Sequence, residues 1–149
     1  MGSARTILLV DDSRDDLDLL TRTLHQLGVE NPIETCDGAD KAIIYLETHA
    51  LPTVMLLDLK MPGRDGFYVL RWVKTHSEWR DLVVIVLTTS SDIYDIRLAY
   101  ELGANSFLTK PVNLSEFKDM MSAFHKYWIV HAQPAPPHPR VIPRNENAA

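Results

Sequence analysis

Three short apolar runs, TILLV (6–10), TVMLL (53–57) and LVVIVL (82–87), lack the alternation of polar and apolar residues that a half-exposed strand would show. Strands of this kind are buried on both faces, as a parallel sheet covered by helices requires. Between and after them lie stretches with apolar residues at helical spacing: Leu17, Leu20, Leu24 and Leu27; Ala39, Ala42, Ile43 and Leu46; residues 67–76; Ile93, Ile96, Ala99 and Leu102; and Leu114, Phe117, Met121, Phe124 and Trp128. Ile33–Cys36 and Ser106–Leu108 read as weaker second and fifth strands. Ser13 followed by Asp16 resembles a capping box, and Gly28 and Gly103 fit helix C-termini. The pattern is (βα)5, and with right-handed crossovers it predicts a doubly wound five-stranded parallel sheet of order 2-1-3-4-5.

Length and composition bound the rest. The chain has 149 residues, of which 46% are hydrophobic, enough for one domain with a sizeable core. The expected division is a folded domain over residues 1–130 and a flexible tail over 131–149, where five of the nine prolines fall and where no output domain fits. A net charge of −5 with no basic block argues against nucleic-acid binding. No apolar run reaches the roughly 18 residues of a membrane span, and no signal peptide is visible. The lone Cys36 rules out an intrachain disulfide and reads as a small buried hydrophobe in a reducing, cytoplasmic setting.

In an open parallel sheet, ligands bind beyond the carboxyl ends of the strands. Strand one ends in Asp11 and Asp12, strand three in Asp58, strand four in Thr88, and strand five in Thr109 and Lys110. Taken singly, an aspartate there reads as a helix cap or Asx turn, as Asp65 before Gly66 also does. Taken together, three carboxylates, a hydroxyl and an ammonium converge on one rim. Such carboxylates repel one another unless a cation sits among them, and a hard ion such as Mg2+ suits the oxygens. With lysine and hydroxyl beside them, the set is a phosphoryl-transfer kit in which one aspartate can be the nucleophile.

The stretches ILLVDDS (7–13), LLDLKMPGRDG (56–66), VIVLTTS (84–90) and FLTKP (107–111) resemble the receiver domain of two-component response regulators, over residues 5–130. The resemblance implies a CheY- and flavodoxin-like fold with Asp58 as phosphoacceptor and Asp11, Thr88 and Lys110 as catalytic partners. Mg2+ would be held by Asp12 directly, by Asp11 through water, by Asp58 and by the Lys60 backbone carbonyl. Thr88 and Phe107 would act as the switch pair, although Phe107 also reads as a plain core aromatic. Met61, Pro62 and Gly66 would shape the loop after Asp58, and a cis bond before Pro111 would aim Lys110. Lys60 and Ser90 would sit where the family tunes hydrolysis. Residues 87–117 with the FHKYW end (124–128) look more narrowly like stand-alone regulators paired with phytochrome kinases. That likeness implies a sensor histidine kinase, a bacteriophytochrome, as phosphodonor. It also implies homodimerisation through helix four, strand five and helix five, with Ile93, Tyr94, Phe107, Tyr127 and Trp128 as candidate apolar surface. For Trp128, core packing is the equal alternative.

Such a protein is no conventional enzyme; it catalyses its own phosphotransfer and dephosphorylation. Competing readings are weaker. An aspartate-based phosphatase needs a second acid two residues after the nucleophile, where this chain has Lys60. A nucleotide or flavin binder needs a Gly- or Ser/Thr-rich loop after strand one, where this chain has Asp-Asp-Ser-Arg-Asp-Asp. A degenerate receiver acting as a constitutive interaction module would have lost one of the chemical positions, and all are present.

Overall fold

The computed structural model describes residues 5–136. Five strands, β1 (Ile7–Val10), β2 (Ile33–Cys36), β3 (Val54–Leu57), β4 (Val83–Thr88) and β5 (Ser106–Thr109), alternate with five helices. The helices are α1 (Arg14–Gln26), α2 (Ala39–Thr48), α3 (Gly66–Thr75), α4 (Ile93–Glu101) and α5 (Leu114–Phe124). All strand pairs are parallel and the order is β2-β1-β3-β4-β5, as the alternating pattern predicts.

Each strand divides its side chains between two cores. Ile7, Leu9, Val54, Leu56, Ile85 and Leu87 meet Leu17, Leu20 and Leu24 of α1 and Phe117, Met121 and Phe124 of α5. Leu8, Val10, Met55, Leu57, Val84 and Val86 face Ala42 and Leu46 of α2, Val69, Leu70 and Val73 of α3, and Ala99 of α4. The period-two alternation of a strand thus feeds one core above and one below the sheet. Burial on both faces holds for β1, β3 and β4. It does not hold at the edges: Glu34 and Thr35 of β2 are exposed and β5 is only half buried, because an edge strand lacks a neighbour on one side.

Helix ends follow their side chains. Ser13, Asp65, Asp92 and Asn113 accept backbone N–H groups and cap α1, α3, α4 and α5. Gly28 takes φ +85° just past α1, a left-handed turn that costs a glycine nothing. The fifth helix departs from expectation beyond Phe124. There the coil widens into a π-helical segment, His125–His131, closed by the Ala132 N–H donating to the Tyr127 carbonyl at 2.6 Å. Trp128 is half buried and packs on the α1/α5 core, while Tyr127 is exposed. Residues 132–136 form no regular structure, and the remainder of the proline-rich tail lies outside the described residues.

Cys36 closes β2 and is buried. Desolvation, helped by the negative charges of Glu34 and Asp37, pushes its thiol up to about 11. Because the folded value lies above the unfolded one, this group's contribution to stability is complete below about pH 8.5 and fades as pH rises toward 11. At pH 8, iodoacetamide should alkylate Cys36 at least about a hundredfold more slowly in the native chain than in urea, read as mass gain against time. Equal rates would refute the buried placement.

Candidate functional site

Parallel register brings the strand ends level. Val10 pairs with Leu57 and Leu57 with Val86, so the residues that follow emerge at one rim. The Asp58 N–H donates to the Val10 carbonyl at 2.9 Å, the Asp11 N–H to Cys36 O at 3.1 Å, and the Lys110 N–H to Thr88 O at 2.7 Å. The ladder therefore extends one residue past the strands and fixes the backbone of each charged residue.

Asp11, Asp12 and Asp58 each offer a carboxylate oxygen within 4.8 Å of the others. Asp11 and Asp58 are buried and Asp12 is exposed. Three oxygen donors at this spacing suit a hard divalent cation with open positions left for water or phosphate oxygens. The Lys110 ammonium reaches across from β5 to Asp11 Oδ2 at 2.5 Å and Asp16 Oδ2 at 2.9 Å, and stands 3.6 Å from Asp58 Oδ2. Burial works against the ammonium, but the bonds from Asp11 and Asp16 and the charge of Asp58 outweigh it and hold the lysine protonated. Desolvation pushes the Asp11 carboxyl up, against the bonds from Lys110 and from the Ser13 N–H at 2.9 Å.

Thr88 is fully buried, and its Oγ1 has no hydrogen-bond partner. A buried hydroxyl left unsatisfied costs about 1–3 kcal/mol, so an acceptor or donor arriving beside it is favoured. Lys60 follows Asp58 outward. Its N–H donates to Asp58 Oδ1 at 3.3 Å, and its ammonium pairs with Asp95 Oδ2 at 3.2 Å, which also accepts from Ser90 Oγ at 2.7 Å. The loop after Asp58 and the start of α4 are thus bridged over the rim. Phe107 is half buried against the α2–α4 core, and its N–H donates to the Tyr100 hydroxyl at 3.1 Å. Met61 is buried. Pro62 and Gly63 carry the loop to Gly66, where α3 begins under the Asp65 cap. Gly66 donates to Leu59 O at 3.1 Å, and a Cβ there would stand 2.1 Å from the Asp58 carbonyl oxygen, so the loop closes only over glycine.

One expectation is corrected. No peptide bond is cis among the described residues, so Lys110–Pro111 is trans. Trans is the ordinary isomer by about 0.5–1 kcal/mol. Lys110 is aimed by its backbone bond to Thr88 and its side-chain bonds to Asp11 and Asp16. Two residues escaped the sequence reading. Asp16 has the spacing of a capping-box acid, but Ser13's N–H is taken by Asp11, and Asp16 turns to Lys110. Its position four residues before the core-facing Leu20 was the available signal. Asp95 sits in the first turn of α4, where an acid reads simply as favourable to the helix dipole.

Comparison with known proteins agrees with this fold. The response regulator receiver domain model matches residues 7–122. A probable methanogenesis regulatory protein, FilR2 of Methanothrix harundinacea, is 36% identical over 128 residues, covering 83% of each chain. Response regulator Rcp1 of Synechocystis is 31% identical over 131 residues, covering 84% of this chain and 89% of Rcp1. The crystal structure of Rcp1 in its Mn2+-bound form superposes with a TM-score of 0.83 at 30% identity, covering 89% of this chain and 99% of that one. The phosphorylated cyanobacterial phytochrome response regulator RcpA superposes with a TM-score of 0.85 at 28% identity, covering 90% of this chain and all of RcpA. With the receiver model matching most of the chain and two relatives above 30% identity aligned along most of their length, this chain belongs to the response regulator receiver family.

Proposed function

We propose that this receiver accepts a phosphoryl group on Asp58 from a sensor histidine kinase in a Mg2+-assisted reaction and passes the signal on by protein contact. The observation that carries the reading is a Lys110 ammonium 3.6 Å from the buried Asp58 carboxylate, together with a buried, unpartnered Thr88 hydroxyl at the end of the neighbouring strand β4, on the same rim. An Asp58 carboxylate oxygen attacks phosphorus. The P–N bond of the donor phosphohistidine breaks, and the imidazole nitrogen leaves with the electron pair. Lys110 and Thr88 meet the charge of the transferred group. When bound by Asp11, Asp12, Asp58 and the Lys60 carbonyl, a divalent cation would neutralise the phosphoryl oxygens. Water attack on phosphorus later breaks the acyl–phosphate bond and regenerates the carboxylate, with Lys60 and Ser90 setting its rate.

The added group brings roughly −1.5 to −2 charge. Moving a two-state equilibrium from 1:99 to 99:1 takes about 5.5 kcal/mol, and two charge-assisted hydrogen bonds at about 1.5–3 kcal/mol each approach it. Thr88 moves toward the phosphoryl group, Phe107 turns inward, and the face of α4, β5 and α5 changes shape. Ile93 and Tyr94 on α4 and Tyr127 beyond α5 are exposed there, and that face serves for homodimerisation. The likeness to Rcp1 and RcpA supports a bacteriophytochrome as the donor kinase.

Incubation with acetyl phosphate and Mg2+ tests the reading. The expected result is one phosphoryl group per chain, mapped to Asp58 by borohydride reduction and labile to hydroxylamine. No adduct, or an adduct elsewhere, overturns it and leaves the constitutive-module reading. Continuous multiple-turnover release of product from an organic phosphate would instead favour a phosphatase.

A further inference from the structure

Lys110 has three N–H donors, and the phosphoacceptor holds none of them at hydrogen-bond distance. The two short contacts go to Asp11 and Asp16, and Asp58 Oδ2 stands at 3.6 Å. The two short contacts are unequal in their other duties. Asp11 belongs to the three-carboxylate cluster, so a cation there draws on the charge that now holds the lysine. Asp16 lies outside the cluster. It sits in the first turn of α1, yet the Ser13 N–H that a capping-box acid would bind is already taken by Asp11. Its carboxylate is aimed at Lys110 across 94 residues of sequence.

We propose that Asp16 is a positioning residue for phosphoryl transfer: its carboxylate holds Lys110 away from Asp58 in the resting chain and competes for that ammonium with the phosphoryl group that arrives there. The inference rests on the receiver reading above. The strength of the competition follows from exposure. The Asp16 side chain is 42% exposed, against 8% for Asp58, so solvent screens its hold on the lysine. A phosphoryl dianion at the buried Asp58 outbids it, and the lysine has only a short swing to make. A cleft of about 130 Å³ bounded by Asp16, Leu19, Leu20, Lys110 and Pro111 leaves the lysine stem loosely packed on the Asp16 side. Asp16 therefore retains the lysine in the rim when a cation claims Asp11, and raises the threshold for engaging the modified Asp58.

Beryllofluoride with Mg2+, a phosphoryl mimic that attaches to the acceptor carboxylate without turnover, gives the test by calorimetric titration of the full chain. Asp16→Asn should tighten its binding roughly two- to fivefold, the range of one exposed ion pair. Asp16→Glu, which keeps the charge, should return the affinity to that of the parent. Asp15→Asn removes the same charge from the same helix turn but from an exposed residue with no bond to Lys110, and should leave the affinity unchanged. A role confined to α1 stability would lower the melting temperature of Asp16→Asn without altering the affinity. Unchanged or weakened binding in Asp16→Asn, or equal tightening in Asp15→Asn, overturns the assignment of Asp16 alone. If the parent chain binds no beryllofluoride and takes no phosphoryl group at Asp58, the receiver reading falls, and this inference with it.

Discussion

Asp58→Asn is expected to take up no measurable phosphoryl group from acetyl phosphate and Mg2+, a loss of at least about a thousandfold in rate. The amide is nearly the shape of the carboxylate, so the backbone bonds that place residue 58, from its N–H to Val10 O and from the Lys60 N–H to its side-chain oxygen, can survive. What disappears is the anionic nucleophile and one of three clustered negative charges. The Asp58 charge is among the causes that push the Asp11 carboxyl up, so removing it relieves the cluster rather than straining the fold. The variant should therefore unfold in urea at a midpoint no lower than the parent's while its mass stays unchanged after incubation. Labelling at the parental rate would place the acceptor elsewhere and end the receiver mechanism for this chain.

Gly66→Ala should damage both stability and chemistry. The new Cβ would lie 2.1 Å from the Asp58 carbonyl oxygen, 2.8 Å from Leu59 Cα and 2.9 Å from the Asp58 carbonyl carbon. All three are backbone atoms and cannot rotate out of the way. Either α3 shifts at its start or the Asp58–Leu59 peptide turns, and both break the Gly66 N–H bond to Leu59 O. Forced overpacking of this kind costs about 1–3 kcal/mol or more. For a chain of this size that corresponds to a fall in melting temperature of roughly 3–10 °C, measurable by scanning calorimetry. Displacing the acceptor by about an ångström also costs of order a hundredfold in phosphoryl uptake. Gly63→Ala is the contrast: its φ of +73° disfavours a side chain, but no atom lies within 4 Å of the new carbon. Its cost should stay near 1–2 kcal/mol with the acceptor undisturbed. Equal uptake by Gly66→Ala and the parent would show that the loop does not position Asp58.

Much of this was legible in the chain because the relevant forces are local. Unbroken apolar runs at 7–10, 54–57 and 83–87 can only be satisfied between two layers, and the amphipathic stretches between them supply those layers. Strand-end carboxylates then fall on one rim by topology alone. The edges were less legible, since the exposure of Glu34 and Thr35 depends on what does not pair beside them. The π-helical end at 125–131 left no mark in the spacing of apolar residues. The trans bond before Pro111 departs from the expectation that the receiver likeness carried, and nothing in the Lys-Pro pair itself encodes the isomer.

From residue order alone came the layers, the strand sequence in the sheet and the identity of Asp11, Asp12, Asp58, Thr88 and Lys110, because periodicity and strand-end chemistry are properties of neighbouring residues. Only the folded chain decided which partners these groups keep: Lys110 at hydrogen-bond distance of Asp11 and Asp16 but not of Asp58, Lys60 with Asp95, and the Thr88 hydroxyl with none. An ion pair is settled by distances of a few ångströms between residues far apart in sequence and by the solvent each must give up, and no local pattern carries either quantity.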